Sequence, residues 1–119
     1  MTFSNKYKDK KIKVGLTHGV FDVLHIGHIE YFKAAKKFCD KLIVSVTTDK
    51  FVNKGDNRPA FTINDRVKML KSIKYIDEVV ISNYSSAVNN IKKFKPNYYI
   101  KGKDYKDLIK NPTKNLKYE

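Results

Sequence analysis

The chain has 119 residues, 41% of them apolar, enough for one domain with a true core and too apolar for a disordered segment. Its formal net charge of +13, from 25 basic and 12 acidic residues, favours anionic partners: nucleic acid, a membrane surface or phosphorylated small molecules. No apolar run approaches the roughly 20 residues of a membrane span, the N-terminal MTFSNKYKDKK lacks a signal-peptide core, and Cys39 has no second cysteine to pair with, so a cytoplasmic protein is expected.

Lys11–Thr17 (KIKVGLT) reads as a short buried strand that enters a turn at His18-Gly19. HIEYFKAAKKF spaces Ile29, Phe32, Ala35 and Phe38 as one face of a helix, with Cys39 behind them as a packing residue. Lys41–Asp49 (KLIVSVTTD) is β-branched and apolar, a central strand, and VNKGDNRPAF after it is a loop. TINDRVKMLKSI opens with Thr62 and has Asp65 three positions on, a capping signature, with Ile63, Val67, Leu70 and Ile73 facing inward. DEVVIS gives a third strand, SSAVNNIKKF a third helix opened by Ser85 or Ser86, and KPNYYIKG a fourth strand ending at Gly102. The tail KDYKDLIKNPTKNLKYE shows no periodicity beyond a possible short turn.

The order β-α-β-α-β-α-β predicts one α/β domain over residues 1–119: a Rossmann-like parallel sheet with helices on both faces. Ligands of such sheets sit beyond the carboxyl ends of the strands, here at HGVFDVLHIGH, TTDKFVNKGDNRP, SNYSS and KGKDY. The first of these leads into a helix start, where unpaired N–H groups and the helix dipole attract phosphate. Gly19 and Gly27 let backbone approach a ligand, and His25 and His28, at i and i+3, bring two imidazoles to one face. Zinc is the poorer reading, because only His18 and Cys39 remain as further His or Cys ligands.

GVFDVLHIGH resembles the small-x-Phe-Asp-x-x-His-x-Gly-His signature of the nucleotidyltransferase superfamily that includes the cytidylyltransferases. CDKLIVSVTTDKFV, RPAFTINDRVKMLKSIKYIDEVVIS and KPNYYIKGKDY are similar to its later strands, helix and loops, in order. The HIGH tetrapeptide also marks class I aminoacyl-tRNA synthetases, but their second, Lys-Met-Ser-Lys-Ser-type loop is absent. The resemblance implies attack by a substrate phosphate on the α-phosphorus of ATP or CTP, with release of pyrophosphate. It implies His25, His28 and Lys54 as catalytic residues. Gly19, Val20, Phe21, His25, Gly27, His28, Gly102 and Asp104 would meet the nucleotide, and Asp22, Lys54, Arg58 and Arg66 the acceptor. Magnesium is implied as phosphate-borne, since no dedicated carboxylate cluster is visible. A homodimer is expected.

The fourth strand is not followed by the family's Ser/Thr-rich helix start, so the chain is expected to be the N-terminal part of a longer polypeptide. KGKDY and NRP look most like heptose-1-phosphate adenylyltransferase domains; GVFDVLHIGHIEYFKAAKKF looks equally like glycerol-3-phosphate cytidylyltransferase. Two other classes stay open. A catalytically inactive nucleotide-binding relative is one. A basic nucleic-acid module stacking bases on Tyr98, Tyr99 and Tyr105 is the other, disfavoured because the lysines are dispersed and only Arg58 and Arg66 are arginines.

Overall fold

Alternating side chains of the second strand feed two hydrophobic layers, and this organises the fold. The computed structural model describes residues 12–52, 59–84 and 86–100 and the backbone of 108–110. In chain order the elements are β1 (Val14–Gly19), α1 (Ile26–Lys36), β2 (Lys41–Thr47), a 3-10 turn (Asp49–Phe51), α2 (Ile63–Lys71), β3 (Glu78–Ser82), α3 (Val88–Phe94), β4 (Tyr98–Ile100) and β5 (Leu108–Lys110). The sheet order is β3-β2-β1-β4-β5. β1 pairs parallel with β2 from Val14↔Lys41 to Gly19↔Val46, and with β4 from Gly15↔Tyr98 to Thr17↔Ile100. β2 and β3 are likewise parallel.

Leu42, Val44 and Val46 of β2 face one layer with Phe32 and Ala35 of α1 and Leu70 of α2. Ile43 faces the other, with Val14 and Leu16 of β1 and Ile91 of α3. Helices therefore cover both faces, and β2 is buried on both sides, from Leu42 to Thr47, its polar Ser45 and Thr47 included. Phe32 and Leu16 are fully buried; each such side chain contributes on the order of 1.5–3 kcal/mol relative to exposure. The expected α/β Rossmann-like class stands. No helix of the described residues is long and apolar enough to cross a membrane.

Three expectations change. The tail contributes a fifth strand, β5, antiparallel to β4 with Tyr98↔Lys110 and Ile100↔Leu108 in register. Three residues are too few to carry a period, so only pairing with β4 reveals this strand. Helix α1 stops at Lys36, leaving Phe38 beyond its C-cap and 37% exposed rather than inward. Helix α3 starts at Val88, later than Ser85 or Ser86 implied, although Ser86 Oγ still accepts from the Val88 amide at 3.1 Å. It ends at Lys95 in the left-handed region, just before Pro96.

Strand starts are tied together at the amino edge. The Asp77 carboxylate accepts from the Leu42 amide at 2.7 Å and pairs with Lys36, and Lys41 pairs with Glu78 at 2.8 Å. Asn97 Oδ1 accepts from the Val14 amide at 2.8 Å. Cys39 sits beneath β1, its Sγ donating to the Ala35 carbonyl at 3.6 Å; a Cβ on Gly15 would approach that sulfur to 2.8 Å.

Burial raises the Cys39 pKa from 9.0 to about 11, only partly opposed by Lys36. The folded state thus favours the protonated thiol, a contribution present below the unfolded value and lost as pH climbs from 9.0 to about 11. A disulfide reagent near neutral pH is expected to leave the native thiol unmodified and to label it in denaturant. Fast stoichiometric labelling of the folded protein refutes this packing.

Candidate active site

The carboxyl edge of the sheet gathers the β1–α1 loop, the start of α1, the 3-10 turn and the entry to α2. His25 is the N-cap of α1, in extended conformation (φ −140°, ψ −179°). Its Nδ1 accepts from the Gly27 amide at 3.0 Å, and His28 Nδ1 accepts from the His25 amide at 3.2 Å. The two imidazoles form a reciprocal capping box, an arrangement more often built from a hydroxyl and a carboxylate.

This cap dictates the proton positions. An Nδ1 that accepts from a backbone amide carries no proton, so each neutral ring holds its proton on Nε2, at its opposite edge. The ring centroids are 4.2 Å apart. Two N–H donors thus stand together at the positive end of an 11-residue helix, a setting suited to phosphate oxygens. Gly27 permits it: a Cβ there would lie 2.7 Å from His25 Cε1 and 2.9 Å from Nδ1.

Asp22 and Arg66 hold the loop from below. Asp22 is 9% exposed and accepts from the amides of Ala60 at 2.7 Å and Phe61 at 2.9 Å. Arg66 is fully buried. Its guanidinium donates to the carbonyls of Val20 (2.9 Å), Thr47 (2.6 Å) and Phe61 (3.0 Å) and to Asp49 Oδ1 (2.5 Å). These two side chains join the β1–α1 loop, the end of β2 and the start of α2. The Thr62 hydroxyl caps α2 as expected, accepting from the Asp65 amide at 3.4 Å.

Gly19, Val20, Phe21, Gly27, His25 and His28 are brought to one edge. Lys54, Arg58, Gly102 and Asp104 lie outside the described residues. Two polar groups absent from the sequence expectations also belong here. His18 Nδ1 lies 2.9 Å from Ser45 Oγ, which accepts from Asn90 Nδ2 at 2.5 Å, while His18 Nε2 is 3.4 Å from Thr47 Oγ1. The Tyr31 hydroxyl donates to the Ile100 carbonyl at 3.1 Å and stands 2.6 Å from Thr17 Oγ1. A signal existed in each case: polar residues (Thr17, Ser45) placed inside apolar strands call for buried partners. Among the described residues no three His, Cys, Asp or Glu side chains are grouped to hold a metal ion.

A family model described as cytidylyltransferase-like matches residues 16–118. The bifunctional protein HldE of Campylobacter fetus is 45% identical over 91 residues, 75% of this chain and 20% of that protein. Its counterpart in Caulobacter vibrioides is 39% identical over 101 residues, 83% of this chain and 21% of that protein. The chain spans about a fifth of the length of these curated relatives. The crystal structure of the lipopolysaccharide core biosynthesis protein from Thermoplasma volcanium superposes with a TM-score of 0.68 at 29% identity, covering 75% of this chain and 73% of that one.

Removing the guanidinium strands three carbonyls and leaves Asp49 unpaired, so Arg66→Met is expected to cost about 3–5 kcal/mol in urea unfolding. Arg66→Lys should recover little, since an ammonium cannot reproduce the planar fork. A loss under about 1 kcal/mol for Arg66→Met contradicts the buried tie.

Proposed function

Because the chain belongs to the cytidylyltransferase-like family, we propose that it transfers AMP from ATP to a sugar 1-phosphate of the heptose type, releasing pyrophosphate. An acceptor phosphate oxygen attacks the α-phosphorus, the bond to the bridging oxygen of the β-phosphate breaks, and pyrophosphate leaves with the electron pair. Such transfers depend on placement and charge neutralisation more than on covalent help. The observation that carries the reading is the imidazole capping box, which fixes both Nδ1 atoms on backbone amides and makes both Nε2 atoms donors. Aimed at the triphosphate, these donors offset charge that builds on the leaving pyrophosphate, and the helix dipole adds to them.

Backbone at Gly19, Val20 and Phe21 lies beside this pair and is assigned to the nucleotide, as are Gly102 and Asp104. Lys54 is assigned to the space between the two phosphates, where a cation offsets their repulsion, and Arg58 to the acceptor. Magnesium enters as an ion carried on phosphate oxygens; the described side chains offer it no cage, and no step is assigned to it. A sugar acceptor is preferred over a polyol because the matched curated proteins are called HldE and the structural relative is described by lipopolysaccharide core biosynthesis. A homodimer in the cytoplasm completes the proposal, and sedimentation equilibrium tests the dimer.

A thermal-shift screen of ATP, CTP, GTP and UTP with magnesium tests the nucleotide. At about 100 times its dissociation constant, the right one should add roughly 2.7 kcal/mol. Stabilisation by CTP with turnover on glycerol 3-phosphate replaces the adenylyl reading with the cytidylyl one. No shift with any nucleotide, alongside salt-sensitive RNA binding, overturns both.

The two histidines separate capping from chemistry. Asn is a good N-cap, so His25→Asn should keep the melting temperature while losing the Nε2 donor. His28→Ala should lower pyrophosphate release by at least about 10² with the fold intact. Wild-type turnover in either variant removes the assigned role.

A further inference from the structure

Phe21 combines a backbone that glycine favours with a bulky ring. Its φ of 49° lies in the left-handed region, which a large L residue adopts only when its surroundings impose it. Both neighbours are fixed. The Val20 carbonyl accepts from Arg66 at 2.9 Å, and the Asp22 carboxylate accepts from the Ala60 and Phe61 amides at 2.7 and 2.9 Å. Held this way, the ring lies over Gly19, where a Cβ would come within 2.9 Å of Cζ and 3.0 Å of Cε2. The same ring meets His28 in a T-shaped contact, centroids 6.2 Å apart at 76°, and leans on Phe32 at 5.4 Å. Phe32 is fully buried, so the ring rests on a fixed floor.

We infer that Phe21 is a positioning residue that aims the His28 imidazole, and that Gly19 is bare in order to seat its ring. Two constraints act on His28. The His25 amide fixes its Nδ1 edge, and the Phe21 ring limits its tilt. Strain at Phe21 is thereby used: a relaxed backbone would carry the ring away from both Gly19 and His28. This inference rests on the proposed reaction, which gives His28 its target, and it assigns Gly19 a role distinct from contact with nucleotide.

The test is a mutant cycle on the whole chain, reading pyrophosphate release from ATP and heptose 1-phosphate. Phe21→Leu and Gly19→Ala should each lower kcat roughly 10- to 100-fold, with a smaller change in KM, as misplacement of a catalytic group does. The double variant should be no worse than the poorer single, and neither change should matter further in a His28→Ala background. Multiplying losses, or losses that persist undiminished without His28, overturn the inference. Phe21→Met keeps the bulk and replaces Phe21→Leu if that variant does not fold. An inactive wild type would sink the reaction instead, and the inference is then decided by the NMR signals of the His28 ring protons. Gly19→Ala must shift them as Phe21→Leu does; unmoved signals overturn it.

Discussion

One buried guanidinium holds the carboxyl edge of the sheet in shape. Arg66 enters from the first turn of α2 and meets acceptors on the β1–α1 loop, the end of β2, the 3-10 turn and the segment before α2. A positive charge near a helix N-terminus is opposed by the dipole there, and burial adds a desolvation cost. Three carbonyls and one partly exposed carboxylate offset both, and the planar fork lets one side chain serve them at once. Asp22 adds a second tie, its carboxylate accepting from two amides just before α2. Together they turn loops that sequence alone would leave adjustable into a single frame.

On that frame the helix start carries neutral groups where a carboxylate is common. A carboxylate at this position would cap α1 well and repel a triphosphate. Imidazole caps without that repulsion because its two nitrogens differ: one accepts from the backbone and the other carries the N–H. The cap therefore selects the Nε2-protonated tautomer, the one the proposed transfer uses.

Much of this was legible in the chain. The alternation of strands and helices, the Thr62 cap and the His25/His28 pair all follow from local spacing, which depends on neighbours a few residues away. What escaped depends on long-range partners. Arg66 falls in step with Ile63 and Leu70, on the inward stripe of α2, and a charge at such a position signals a buried tie rather than a surface contact. Phe38 falls on the inward stripe only of a helix that continues past Lys36, and α1 stops there. The β5 strand owes its existence to β4, not to its own three residues. Nothing local in HIEYFK separates Tyr31 from the packing residue beside it; only the distant Ile100 carbonyl reveals its use.

That tyrosine has a mechanical consequence. Its hydroxyl joins the middle of α1 to the neighbouring strands β1 and β4, through Thr17 and the Ile100 carbonyl, in the dry interior. A helix tethered at its waist cannot slide along its axis without leaving a buried carbonyl unsatisfied. The tip that carries the imidazole cap is accordingly set at a fixed height before any ligand arrives, so the proposed recognition begins from a preorganised surface and little binding energy is diverted to ordering it.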